Sequence, residues 1–263
     1  MAAKLRLLVS GAGGRMGRSI TRLAHGDDEI ELLGGIGRHH SHGGGDGGPE
    51  IVALENAGDL IARADVLIDF SAPPFLRELL HTYGQSLEGR ALVVGTTGLG
   101  EVEDDLLDRR SASGPVITAA NFSVGLNVLL SLVRQSSTAL EGYDVEIVEA
   151  HHRMKEDAPS GTALALGSAV AEGRGVELAA VRQDGRSGRP GRRPEGEIGF
   201  HALRGGGVVG DHQVHFLGEM ERIQISHATT DRSIFAAGSL RAARWAAGRA
   251  AGRYSMRDVL GIA

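Results

Sequence analysis

Leu5-Arg-Leu-Leu-Val-Ser10, followed at once by Gly11-Ala-Gly-Gly-Arg-Met-Gly17, decides the reading of this chain: a short apolar strand runs into a glycine turn and then into a helical pattern. A turn in that setting can hold a phosphate for a physical reason. Glycine allows a tight turn and close backbone approach, and the next helix points unbonded N–H groups and its positive dipole end at the anion. The spacing is G-x-x-G-x-x-G, at Gly11, Gly14 and Gly17, because Met16 stands where the strict dinucleotide fingerprint has its third glycine. A purely structural turn can share this composition; position at the first strand–helix junction favours the pyrophosphate.

Outward from that turn, strands are expected over 5–10, 30–35, 65–70, 91–95 and 115–119, with helices between them. Such alternation favours a parallel sheet covered on both faces, a Rossmann-type α/β domain over 1–122. The strands end in Gly11-Ala-Gly-Gly, Gly37-Arg-His-His, Ser71-Ala-Pro-Pro, Gly95-Thr-Thr-Gly and Ala120-Asn-Phe-Ser, loops that would line one crevice at the carboxyl edge. From about Ser123 the pattern changes. A helix over 124–134, a strand over 144–151 and strand-like runs at 207–210, 213–217 and 221–227 predict a smaller α+β domain over 123–232, with a loop over 182–195. The glycine-rich run 41–49 reads as a flexible surface loop without chemistry. The tail is helical, with Ala236, Leu240, Ala243, Ala247 and Ala250 on one face and its arginines solvated.

Composition narrows the chemistry. The 263 residues contain 40 glycines and no cysteine, which excludes disulfides, thiolate nucleophiles and cysteine-held metals. A net charge of −5 argues against nucleic acid as a partner. No run approaches the roughly 18 apolar residues of a membrane span, and Met1–Ser10 lacks the apolar middle of a signal peptide, so a cytoplasmic location is expected. His39, His40 and His42 have no accompanying carboxylate cluster, and no metal is expected. Where an acid would ordinarily bind the adenosine ribose stand Gly37, Arg38, His39 and His40; the planar fork of Arg38 suits a phosphate, and NADPH is expected to serve at least as well as NADH.

The densest chemistry lies in Glu149-Ala-His-His-Arg-Met-Lys-Glu-Asp-Ala-Pro-Ser-Gly-Thr-Ala163. His151, His152 and Lys155 gather proton donors and cations in one short loop. Ser160 precedes an apolar helical run as an N-cap, leaving the Gly161 and Thr162 N–H groups at the helix start for a carboxylate. A plain cap beside two strand-end histidines would look similar, although His-His-x-x-Lys immediately upstream favours a site.

These stretches, together with Ile68-Asp-Phe-Ser71, Gly95-Thr-Thr-Gly98, Ala119-Ala-Asn-Phe-Ser-Val-Gly125, Phe235-Ala-Ala-Gly238 and Met256-Arg-Asp-Val-Leu260, resemble the 4-hydroxy-tetrahydrodipicolinate reductases (dihydrodipicolinate reductases) over nearly the whole chain. The resemblance implies NAD(P)H-dependent reduction of a cyclic dicarboxylate with loss of water, in lysine and diaminopimelate biosynthesis. It implies that Gly11, Ala12, Gly13, Gly14, Arg15 and Met16 wrap the dinucleotide phosphates, Arg38 the adenosine end, and Gly95, Thr96, Thr97, Ala119, Ala120, Asn121 and Phe122 the nicotinamide side. His151 would exchange the proton, Lys155 would be the second catalytic cation, and His152, Lys155, Ser160, Gly161 and Thr162 would hold the substrate carboxylates. It further implies a mixed sheet in the second domain, a homotetramer assembled through that domain, and a C-terminal helix, 233–263, that completes the first. Two departures are Gly37, where some members carry the ribose-binding acid, and Met154, where some carry another histidine. The first leaves cofactor preference open. Competing readings are another nicotinamide dehydrogenase on the same scaffold, or a dinucleotide-sensing module without chemistry.

Overall fold

The computed structural model describes residues 3–41 and 48–262. Most of the expected glycine loop, 42–47, lies outside the described residues, and His42 with it. In chain order the first unit begins with β1 (Leu5–Ser10), α1 (Arg15–His25), β2 (Ile30–Gly37), β3 (Ile51–Ala53), α2 (Gly58–Arg63), β4 (Val66–Asp69), α3 (Pro73–Tyr83), β5 (Ala91–Val94), α4 (Glu101–Ser111) and β6 (Pro115–Thr118). The second follows with α5 (Val124–Ala139), β7 (Asp144–His151), α6 (Gly161–Arg174), α7 (Leu178–Val181), β8 (Arg182–Asp184), β9 (Ile198–Arg204), β10 (Gly210–Leu217) and β11 (Arg222–Thr229). The chain then returns to the first unit through α8 (Ser233–Ala246), β12 (Gly252–Tyr254) and α9 (Met256–Leu260).

The first unit carries seven parallel strands in the order β12-β6-β5-β4-β1-β2-β3. Parallel strands buried on both faces read as continuous apolar runs, and here successive residues feed two cores. Leu7, Val9, Ile68, Val93 and Ile117 pack with residues of α1, α8 and α9, while Leu8, Leu67, Leu92, Val94 and Val116 pack with residues of α2 and α3. Each fully buried Leu, Ile or Val contributes roughly 1.5–3 kcal/mol against exposure. The tail arginines are not all merely solvated: Arg244 reaches Asp27, Arg253 bonds Asp108 at 3.0 Å, and Arg249 lies over the Trp245 ring at 4.3 Å.

The second unit is built on a mixed sheet, β11-β10-β7-β9-β8, antiparallel on the β11 and β10 side of β7 and parallel on the β9 and β8 side. One face is covered by α5 and α6, so β7 and β10 alternate between buried and half-buried positions. On that covered face Val145, Ile147, Ile198, Phe200, Val214 and Phe216 form an apolar floor. Three expectations need correction. The tail, expected as one helix over 233–263, is α8, then β12 paired with β6, then α9, because residues 252–254 find a parallel partner at the sheet edge. The run expected at 207–210 is not strand before its last residue: Gly206 and Gly207 form a turn, Val208 and Val209 are irregular, and β10 begins only at Gly210. The stretch 182–195, expected to be loop throughout, opens with β8, whose three residues owe their extended form to pairing with β9. Among the described residues no helix is long and apolar enough to cross a membrane.

Candidate active site

In the first unit the strand order reverses between β1 and β4, and ligands of such sheets bind outside the carboxyl ends near that point. The glycine turn lies there, and its glycines are not equivalent. Gly11 has φ +74°, and a Cβ on it would stand 2.5 Å from the Phe70 carbonyl oxygen; a Cβ on Gly17 would collide with the Gly11 carbonyl and the Ala12 backbone. Both are therefore demanded by folding. Gly13 borders open space, the nearest atom to its Cβ position being Ile51 Cδ1 at 3.9 Å. Gly14 caps α1 with no side-chain hydrogen bond, so the first-turn N–H groups at Arg15 and Met16 keep the anion-binding capacity that helix geometry gives them. A pyrophosphate fits this cradle.

The other expected cofactor residues follow β2, β5 and β6 on the same carboxyl edge. Arg38 is exposed and Thr97 is exposed, whereas Thr96, Ala12 and Phe122 are buried. The Phe122 ring packs on Phe70 with centroids 5.6 Å apart, so its side chain belongs to the core and leaves its backbone for a ligand. Asn121 Oδ1 accepts from the Ser123 N–H at 2.8 Å, holding the turn after β6. Gly95 is glycine because a Cβ would strike the Phe70 ring. Beneath these loops lies Asp69, fully buried and given no role by the sequence reading. Its carboxylate accepts from Ser10 Oγ at 2.5 Å, Ser71 Oγ at 2.7 Å and Thr96 Oγ1 at 2.5 Å, tying the ends of β1, β4 and β5 together. Burial pushes its pKa up, against the lowering effect of those hydroxyls.

In the second unit the covered face of the sheet turns polar at the carboxyl end of β7. Residues 145, 147, 149 and 151 share that face by strand alternation, so two apolar positions are followed by Glu149 and His151. Register brings His212 of β10 opposite Glu149, and Arg204 of β9 beside His151. Glu149, 1% exposed, has His151 Nδ1 2.5 Å from Oε2 and two Arg204 nitrogens at 2.7 and 2.8 Å, and accepts the Ser160 N–H at 3.1 Å. Burial alone would raise the Glu149 pKa, but Arg204, His151 and Ser160 hold it below the usual carboxylate range. Ser160 caps α6, accepting from the Ala163 N–H, and its Oγ lies 3.1 Å from His212 Nε2. Burial, reinforced by the charge of His151, pushes His212 down to about 4.

One bonded cluster thus unites His151 and Ser160 of the expected set. Gly161 is exposed and Thr162 half-buried at the open start of α6. Lys155 Nζ is held by Asp157 at 2.8 and 3.0 Å, which keeps the Asp157 carboxyl low, and His152 Nε2 lies 3.5 Å from Arg232. Glu149, Arg204 and His212 were absent from the expected set. Glu149 was detectable, since Glu-x-His within a strand places both side chains on one face; Arg204 and His212 come from 55 and 63 residues further along and needed the sheet register.

A dinucleotide cradle on a parallel sheet, and a separate unit holding a carboxylate-oriented histidine beside an open helix start, define a nicotinamide-dependent oxidoreductase. The chain matches the family descriptions of dihydrodipicolinate reductase in both parts, N-terminus over 5–122 and C-terminus over 125–260, and belongs to that family. It is 47% identical over 272 residues to the 4-hydroxy-tetrahydrodipicolinate reductase of Parvibaculum lavamentivorans, covering 100% of both chains, and 41% identical to that of Caulobacter vibrioides, covering 100% of this chain and 99% of the other. A solved dipicolinate-bound dihydrodipicolinate reductase from a Paenisporosarcina species shares the fold, with TM-score 0.74 at 22% identity over 96% of this chain and 97% of that one. A Corynebacterium glutamicum diaminopimelate dehydrogenase is more distant in fold, with TM-score 0.59 at 12% identity over 100% of this chain and 95% of that one. The resemblance read from the motifs is the family found, and the α/β fold with a mixed second sheet is the one observed.

Proposed function

We propose that the chain reduces 4-hydroxy-tetrahydrodipicolinate to tetrahydrodipicolinate, consuming one NAD(P)H and one proton and releasing water. The observation that carries this reading is the buried Glu149–His151 pair joined to the capped start of α6 within one unit. The bound nicotinamide supplies the hydride. The turn from Gly11 to Met16 holds its pyrophosphate with backbone N–H groups, Arg38 meets the adenosine end, and backbone at Gly95–Thr97 and Ala119–Phe122 lines the nicotinamide side. His151 passes a proton at Nε2 to the reduced ring. Lys155 exchanges Asp157 for a substrate carboxylate and stabilises charge that develops during reduction. The second carboxylate docks on the Gly161 and Thr162 N–H groups with the Ser160 cap, and His152 completes the anion site.

The absence of an acid at 37–40, with Arg38 exposed beside it, supports NADPH serving at least as well as NADH. By family resemblance the reading includes assembly through this sheet as a homotetramer. Mixing the purified chain with NADPH and freshly generated precursor and following nicotinamide absorbance tests the reading. Consumption dependent on the precursor is expected; none with either cofactor would end it.

A further inference from the structure

The geometry assigns Glu149 a positioning role: with Arg204 as its anchor it fixes the His151 ring so that Nε2 is the nitrogen that exchanges the proton, and it ties that ring to the cap of α6. This rests on the functional reading above, because it concerns how His151 is set up to act.

The argument begins with hydrogen-bond inventory. An ionised carboxylate only accepts, so a His151 Nδ1 standing 2.5 Å from Glu149 Oε2 carries a proton. The neutral ring then has its lone pair on Nε2, and the charged ring has its transferable proton there. Gly210 keeps that nitrogen uncovered: a Cβ at 210 would stand 3.0 Å from His151 Nε2. Four N–H groups converge on the two Glu149 oxygens, one from His151, two from Arg204 and one from Ser160. Arg204 is itself fastened, donating to the carbonyls of Leu203 and Asp157 at 2.7 Å each, so the carboxylate cannot follow the histidine away. The neighbouring His212 ring meets His151 edge-on, centroids 5.1 Å apart, and stays neutral at working pH, so it brings no rival positive charge to Glu149.

A glutamine at 149 has one acceptor oxygen and one donor nitrogen against four donors. Whichever way its amide turns, an N–H opposes one Arg204 nitrogen together with either His151, forcing the proton onto Nε2 in the neutral ring, or Ser160. The same amide thus disturbs proton exchange more than cofactor binding. In serine-protease triads the corresponding carboxylate-to-amide change lowers kcat about 10⁴-fold by selecting the wrong tautomer.

The test uses the full chain. Nitrogen-15 spectra of its histidines should show His151 protonated at Nδ1 when neutral; finding the neutral ring protonated at Nε2 would overturn the assignment without any variant. E149Q should lower kcat by about 10²–10⁴-fold, with NADPH affinity by fluorescence unchanged and dipicolinate affinity weakened only severalfold, whereas E149D should recover part of kcat. E149Q turning over at the wild-type rate would also overturn it. H151Q separates the two levels: if H151Q is impaired while E149Q is not, only the positioning role falls; if H151Q is fully active, the functional reading itself falls.

Discussion

The two units prepare for anions by opposite means. The first uses backbone: a turn of glycines, a helix start without a side-chain cap and loop peptides, with a buried carboxyl, Asp69, placed beneath the loops to tie strand ends together. The second uses side chains: a buried acid, a guanidinium and two histidines brought to one strand end by register. Backbone donors carry no charge to desolvate and tolerate sequence change wherever space allows. A buried ionic cluster is all-or-nothing, because removing one partner strands the others in low dielectric. Substitutions should therefore act sharply in the second unit and in a graded, position-dependent way in the first.

The largest effect is expected at His151. His151→Gln should lower kcat by about 10²–10⁴-fold, the usual value of a positioned proton donor, while NADPH binding to the first unit is untouched. Equal loss of NADPH affinity would show that the two regions do not act separately, and the comparison would break there.

Next comes a pH effect that only the side-chain region should show. His212 is held near 4, below the ordinary 6.5, so it is neutral when folded. Between those values the unfolded chain binds more protons than the folded one. The stabilisation is present above 6.5 and is lost as pH falls through that window toward 4, by roughly 3 kcal/mol in total. His227, also lowered by burial, adds to the same slope. Urea midpoints at pH 7.5 and 4.5 should fall for the wild type and fall less for H212Q; identical slopes would remove His212 from the account.

The same contrast explains which features local sequence patterns carry. Glycine spacing, strand alternation and a cap are local signals, and they located the turn at 11–17, the strands β1 and β7 with their bounds, and the start of α6. β9 escapes local patterning because Ile198-Gly-Phe-His-Ala-Leu-Arg204 follows an arginine- and proline-rich stretch and is buried continuously over Ile198–Phe200, then half-buried or exposed, with no period-two alternation. β3, β8 and β12 have three residues each and exist through pairing, which no local pattern carries. Arg204 and His212 enter the site only through the neighbours of β7, so their function is a property of register.

A smaller effect should separate the glycines of the first unit. Gly17 lies inside α1, where alanine would ordinarily stabilise by up to about 1 kcal/mol. Here its Cβ meets the Gly11 carbonyl, and G17A should instead destabilise by about 1–3 kcal/mol, as overpacking does. G13A, facing open space, should stay within about 0.5 kcal/mol of wild type and weaken NADPH binding instead. Thermal melts with and without NADPH distinguish the two; equal melting shifts for both would mean that Gly13 also serves the fold.

The smallest effect is expected where the backbone strategy borrows a side chain. Arg38 is exposed just after β2, and a cation there gains from a phosphate only what solvent screening leaves. Its planar fork can grip a 2′-phosphate at two points, an advantage that a ribose hydroxyl cannot return. Arg38→Ala should therefore raise the NADPH KM by about tenfold, close to 1.4 kcal/mol, leave the NADH KM nearly unchanged and leave kcat alone with both. Because the contact is solvated, the wild-type preference should also shrink as ionic strength rises, whereas the H151Q defect, arising in a buried cluster, should not respond to salt. A cofactor ratio unmoved by the substitution would place discrimination in the backbone of the turn itself.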